Sequence, residues 1–383
     1  MAKNLTGIFV LLSKKGTIVV LTQNNFPSLD LLQKEFDQIS HSNISHSASY
    51  LKRHHINNQT LTNIINKFSN LNVLVIGDTI IDEYITCDPI GMSQEDPTIV
   101  VSPISNNKFI GGAAIVASHA KTLGAKVSYI SVTGVDDNYE YTNNYLNNLN
   151  ISTYLYKDDS RPTTLKQRFR AHNKTLLRVN HLKQHNISKE IENRILKELK
   201  ESITTFDLII FSDFSYGVLT KKLISNIQKI ALENNIFMVA DSQSSSQVGD
   251  ITKFKSMDVV TPTEREIRLS LNDFESGLVI LSEKLQKKSH PKYIFTTLGS
   301  EGIMIFNSIE DDLLTDNIPA LNLNAKDVSG AGDSLLTCAS MALAIGANIW
   351  ESAYLGSIAA AIQVSRIGNV PIKKEEVLKE LTI

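Results

Sequence analysis

The chain has 383 residues, 42% hydrophobic and 20% charged, with 38 Lys and Arg against 40 Asp and Glu for a net charge of −2. That length suits one large α/β domain with an appendage or two domains, and the composition excludes wholesale disorder. Balanced charge excludes a general polyanion binder, and two isolated cysteines, Cys87 and Cys338, exclude a disulfide framework and point to a reducing compartment.

Residues 7–12 are too short for a signal-peptide core and are followed by Lys14 and Lys15, so a cytoplasmic protein is expected. The apolar runs flanking Ser13-Lys14-Lys15-Gly16 predict a hairpin with residues 17–21 as its second strand. Helical patterns follow around 31–39 and 61–68. No chemical motif occurs in this region, and His54-His55 reads as a solvated pair at a helix end. From Leu71 the pattern changes. Residues 73–76 form a continuous apolar run ending in Gly77-Asp78, and similar runs recur at 127–132, 208–211, 237–240 and 293–297. Helical patterns at 113–123, 189–203 and 221–234 fall between them. This alternation predicts an α/β fold: a doubly wound, mostly parallel sheet sandwiched by helices. Segments 84–101 and 163–179 have period-two character and predict a small accessory sheet. The apolar stretch 338–364 is broken by Gly346, Asn348 and Glu351 and reads as two buried helices rather than a membrane span.

In such sheets ligands bind beyond the carboxyl ends of the strands, where the chemistry-bearing residues should collect. Asp78 and Asp82 follow the first run; they suit sugar hydroxyls, or merely cap a turn. Gly111-Gly112 opens a helix and permits close approach of a ligand to backbone. Lys166, Arg168 and Arg170 alternate along an accessory strand, able to neutralise a phosphate or to form a solvated basic face. Thr263 to Glu266 fits a metal–phosphate organiser and a helix capping box equally well. Thr297, Gly299 and Gly302 make a tight, hydroxyl-bearing turn suited to nucleotide phosphates. The strongest element is Asp327-Val328-Ser329-Gly330-Ala331-Gly332-Asp333 before an apolar helix. Its glycine-rich turn offers several backbone N–H groups to an anion, and Asp333 can accept a proton or simply complement the helix dipole. No P-loop, HExxH or GxSxG sequence is present.

In this order the motifs resemble the ribokinase-like (PfkB) carbohydrate kinases, from residue 71 to about 370. The resemblance implies a ribokinase-like fold with a small β lid near 84–101 and 163–179, and an ATP-dependent sugar kinase using Mg²⁺. It makes Asp333 the catalytic base and Gly330, Ala331 and Gly332 an anion hole. Asp78, Asp82, Gly111, Gly112, Arg168 and Arg170 fall on the sugar side. Thr297, Gly299 and Gly302 fall on the nucleotide side, with Glu266 acting on Mg²⁺ through phosphate or water. Stretches 93–97, 133–137 and 212–217 are most similar to the kinase of ADP-heptose synthesis, which phosphorylates O1 of a heptose 7-phosphate. A kinase for an unphosphorylated sugar or nucleoside, and a weakly catalytic sugar- or nucleotide-binding regulator, are the competing readings. Four positions depart from the family pattern: Ile115 and Thr263 stand for asparagines, Tyr216 and Gln243 for lysines. Residues 16–21 and 26–32 resemble the tail of a sugar nucleotidyltransferase without its HxGH motif. Residues 1–70 are therefore expected as an extension, a remnant of such a domain, before a kinase domain at 71–383. The implied partners are a sugar or sugar phosphate and ATP, not nucleic acid or membrane. A homodimer and a separate nucleotidyltransferase are the protein partners it leaves open.

Overall fold

The apolar runs fold as strands buried on both faces. In the computed structural model, residues 9–12, 18–21, 44–171, 174–244, 247–309 and 312–382 are described. The chain divides into two units, residues 1–43 and 44–383. In the first, β1 (Phe9–Leu12) pairs antiparallel with β2 (Ile18–Leu21), the hairpin expected from the sequence. The helix expected at 31–39 lies outside the described residues.

The second unit continues with β3 (Asn72–Gly77), β4 (Thr79–Met92), β5 (Ile99–Gly112), β6 (Lys126–Thr133), β7 (Ser152–Lys157), β8 (Thr164–Ala171) and β9 (Lys174–His181). It is completed by β10 (Leu208–Asp213), β11 (Phe237–Ser242), β12 (Val259–Val260), β13 (Tyr293–Thr297), β14 (Ile303–Ile309) and β15 (Asp312–Ile318). Nine of these form one sheet in the order β15-β14-β13-β12-β11-β10-β3-β6-β7, parallel except for the β13–β14 and β14–β15 pairs. Alternate residues of the central strands enter opposite layers. Val73 and Val75 join the core under the helices Ala113–Thr122, Ala331–Ala344 and Ile349–Val364. Leu74 and Ile76 join the core under Lys189–Ser202, Lys221–Glu233 and Leu278–Ser289. Burial on both faces is why these strands read as unbroken apolar runs. The strand order reverses between β3 and β10, so a crevice opens beyond Gly77 and Ser212.

The two period-two segments form a second sheet, β5-β4-β8-β9, which is longer than expected because β4 starts directly after Asp78. In its parallel β4–β8 pair, Asp82 faces Lys166 and Tyr84 faces Arg168. The apolar stretch 338–364 lies in two helices, Ala331–Ala344 and Ile349–Val364. Among the described residues no helix is long and apolar enough to cross a membrane.

Two features of the first 70 residues bear on the expectations for them. Segment 44–70 packs in one compact unit with residues 71–383 rather than with residues 1–43. Its helices Ala48–Arg53 and Asn58–Asn66 and the 3-10 turn Lys67–Asn70 send Tyr50, Leu61, Ile65 and Phe68 fully into the core that holds Val73 and Ile358. The Tyr50 hydroxyl donates to Trp350 O at 3.0 Å, and His46 Nδ1 lies 2.8 Å from the Tyr354 hydroxyl. Nor is His54 solvated: it stacks on Trp350 and bonds Asp316 Oδ2 at 2.6 Å, beside the Arg53–Asp316 pair. His55 is exposed.

Candidate active site

A cleft of about 500 Å³ occupies the crevice, roofed by the small sheet. Its floor is the start of the Ala331–Ala344 helix. Gly330 is the N-cap with φ 77°, and a Cβ there would lie 2.5 Å from Asn369 Oδ1, so glycine is required for both backbone and space. A Cβ on Gly332 would meet nothing within 4 Å, which leaves the turn open to a ligand. Asp333, in the first helical turn, is only 6% exposed. Its Oδ1 accepts from Gln243 Nε2 at 2.9 Å. Burial, then the nearby Asp82 charge, pushes its carboxyl up to about 7, against the Gln243 hydrogen bond and the Lys166 charge.

Asp82 enters from the roof. Arg168 Nη2 donates to its Oδ1 and Asn369 Nδ2 to its Oδ2, both at 3.2 Å. Gly111 does not line the cleft; its missing Cβ leaves room for Asp82, whose Oδ2 would lie 2.5 Å from one, while Gly112 does line it. Asp78 is corrected from sugar ligand to anchor. It is 2% exposed and accepts from the backbone N–H groups of Phe214, Tyr216 and Val218, pinning that loop rather than lining the cleft. Burial and the Asp213 charge push its carboxyl up to about 6 despite those donors.

The basic triad splits. Lys166 and Arg168 line the cleft, with Lys166 Nζ 5.1 Å from the Phe214 ring centroid and 5.4 Å from that of Tyr216. Arg170 does not line it; its guanidinium lies over the Tyr84 ring, as that of Arg168 does. The Tyr84 hydroxyl then donates to Asp327 Oδ2 at 2.8 Å and lies within hydrogen-bond distance of Ser329 Oγ at 3.2 Å, tying β4 to the turn before Gly330.

At the other end, Thr297, Gly299 and Gly302 line the cleft beside Thr263, which bridges to Thr297. The capping-box reading of Glu266 holds. Thr263 and Glu266 close a capping box, and Glu266 also faces the cleft, accepting from Ser244 N at 2.6 Å and Thr263 N at 2.8 Å. Asp241 lies nearby, 5% exposed, its carboxyl pushed well above the usual range by burial and by the charges of Glu266 and Asp333. Among the described residues no three acidic, His or Cys side chains are close enough to cage a metal. Glu266 and Asp241, both lining the cleft, are acidic donors that a divalent ion carried on phosphates could reach through water.

Eleven expected residues thus meet in one cleft: Asp82, Gly112, Arg168, Glu266, Thr297, Gly299, Gly302, Gly330, Ala331, Gly332 and Asp333. Asp78, Gly111 and Arg170 do not line it. The sequence reading assigned no role to Asp241, Tyr84 or Asn369. Of the departures, Ile115 is fully buried in the core and Gln243 bonds Asp333.

Residues 70–374 match the family model described as pfkB family carbohydrate kinase. The chain is 30% identical over 322 residues to a bifunctional protein HldE from Desulfatibacillum aliphaticivorans, covering 83% of this chain and 64% of that one. It is 32% identical over 312 residues to a bifunctional protein HldE from Aliarcobacter butzleri, covering 80% and 63%. The chain thus spans less than two thirds of the length of these relatives. Among solved structures, a ribokinase from Thermotoga maritima superposes with TM-score 0.63 at 20% identity, covering 82% of this chain and 99% of that one. The phosphofructokinase-2 of Escherichia coli superposes with TM-score 0.66 at 14% identity, covering 82% and 98%. These likenesses establish the ribokinase-like fold.

Proposed function

The chain belongs to the pfkB family of carbohydrate kinases, and from that premise we propose that it transfers the γ-phosphoryl group of ATP to O1 of a heptose 7-phosphate. The observation that carries the chemistry is Asp333: a buried carboxyl at a helix start, beside an open glycine turn, in the same cleft as Asp82 and Thr297.

The acceptor hydroxyl lies against Asp333, which takes its proton as the oxygen attacks. With the carboxyl pushed up to about 7 by burial and the Asp82 charge, it is basic enough to accept that proton near neutral pH. The phosphoryl group moves from the β–γ bridging oxygen of ATP to the sugar oxygen, and ADP leaves. The first N–H groups of a helix lack intrahelical acceptors, so the Gly330–Gly332 turn offers them to the equatorial oxygens in transit. Asp82, held by Arg168 and Asn369, orients sugar hydroxyls. Thr297, Gly299 and Gly302 receive the nucleotide phosphates. Glu266 and Asp241 are the residues that would hold a divalent ion on those phosphates, where it would supply charge neutralisation. The small sheet acts as a lid that keeps water from the phosphoryl group.

Lys166 and Arg168 on the roof favour an anionic acceptor, and the likeness to HldE proteins favours a heptose phosphate. The test is ATP consumption across heptose 7-phosphate, hexose phosphates and free sugars. Turnover highest on heptose 7-phosphate supports the reading; a free sugar outpacing every phosphate refutes it.

A further inference from the structure

Asn369 follows the helix Ile349–Val364 in a rigidly held turn. Gly368 N donates to Asp327 Oδ2 at 3.1 Å, and Gly368 O accepts from Gln363 Nε2 at 2.9 Å. The side chain is 7% exposed and lines the cleft. Its amide orientation follows from chemistry, since a carboxylate can only accept and Nδ2 must be the end facing Asp82 Oδ2 at 3.2 Å. Oδ1 therefore points away from Asp82, toward Gly330, and it is buried without a hydrogen-bond partner. Buried polar atoms left unpaired are uncommon and costly, and one in a ligand cleft marks where a ligand group completes the pairing. An unpaired carbonyl oxygen can be completed only by a donor.

Building on the kinase reading, we propose that Asn369 Oδ1 accepts a hydrogen bond from a second hydroxyl of the sugar, making this residue a specificity determinant for the polyol. The neighbours fit that assignment. Asp333 awaits the proton of the reacting hydroxyl, and Asp82 offers carboxylate oxygens already turned toward donors. Asn369 adds a neutral acceptor between Asp82 and the Gly330 turn. A row of acceptors on one side of a cleft selects a ligand with several hydroxyls in fixed relation. A cleft built to pair a hydroxyl rejects the analogue lacking it, because its own buried oxygen is then stranded.

The experiment is a cycle between protein and ligand. The probes are heptose 7-phosphate, or whichever sugar gives the highest ATP turnover, and its monodeoxy analogues one position at a time. In the unmodified protein one deoxy analogue should lose about 10–100-fold in kcat/KM. In Asn369→Ala the parent sugar should lose a similar factor, and that analogue should lose no more than about threefold relative to the parent, with KM for ATP unchanged. Asn369→Leu keeps most of the volume without the acceptor and should give the same pattern if the alanine variant melts early. An equal loss on the parent and every analogue would mark Asn369 as merely structural and overturn the proposal. So would an unmodified protein that tolerates every deoxy analogue. Failure to turn over any sugar would sink the kinase reading and this inference together, whereas a working kinase with no coupling sinks the inference alone.

Discussion

Replacing Asp333 by Asn removes the proton acceptor at nearly constant shape, and it should slow turnover by about 10²–10⁴-fold. The same change should also make the protein more stable, by an amount that grows with pH from about 4 to about 7. The Asp333 carboxyl rises from the ordinary 3.8 to about 7 on folding, first through burial and then through the Asp82 charge. Between those values the native state holds a proton that the unfolded chain has lost, so this group's contribution to stability falls as pH climbs toward 7 and is spent above it. At 1.36 kcal/mol per pH unit, the buried charge costs on the order of 4 kcal/mol at most above pH 8. For a folded unit of this size, that corresponds to roughly 4–6 °C in Tm. Calorimetry of both proteins at pH 5 and pH 8.5, with ATP turnover in parallel, measures both effects. Asp333→Asn should melt about 2 °C above the parent at pH 5 and roughly 4–6 °C above it at pH 8.5, while kcat/KM of the parent falls below about pH 7. Equal melting temperatures at both pH values, or near-normal turnover, would refute the assignment of Asp333 as a strained buried base.

Arg168→Met strands Asp82 and should raise KM for the sugar about 10–100-fold with KM for ATP unchanged, whereas Arg170→Met, outside the cleft, should stay within about threefold. Steady-state kinetics decides; equal effects would mean the two arginines are misassigned. Tyr84→Phe keeps the ring between lid and floor but loses the bonds to Asp327 and Ser329. Sugar phosphorylation should slow about tenfold while ATP hydrolysis without sugar rises relative to it; an unchanged ratio argues against coupling between the lid and the turn. A chain starting at residue 44 should fold, and one starting at 71 should not. The four buried side chains Tyr50, Leu61, Ile65 and Phe68 carry roughly 6–12 kcal/mol of burial, comparable to the whole stability of about 5–15 kcal/mol of a folded protein. A cooperative melt of the shorter chain would contradict this.

Strands buried on both faces announce themselves in sequence, so β3, β6, β10, β11 and β13 were legible as apolar runs. The antiparallel strands β14 and β15 were not so read: the apolar run Ile303–Phe306 of β14 was passed over, and β15, at the sheet edge, mixes polar and apolar residues. The glycine turn and Asp333 were legible because nest, acid and helix are adjacent in the chain. Asp78 and Asp82 could not be told apart by type. What separates them is that Asp78 meets backbone donors of a loop 136 residues away, while Asp82 meets Arg168 and Asn369. Asn369 had no local motif at all, and its meaning arises from a contact across 287 residues. The packing of segment 44–70 was not legible because its short helices sit among Ser, His and Asn, which hides a buried stripe of four large apolar residues.

That buried stripe also bears on how the molecule is made. Tyr50 waits for Trp350, and His46 for Tyr354, partners that leave the ribosome 300 and 308 residues later. At translation rates of about 5–20 residues per second, the delay is roughly 15–60 s. Through that interval the first helices of the unit can rest on β3 and its following helix, but one side of their apolar surface stays uncovered. The first helices of this unit are thus among the last of its elements to be locked. Cotranslational protection, by a chaperone or by slow threading, is therefore a demand written into the distance between the two ends of this core.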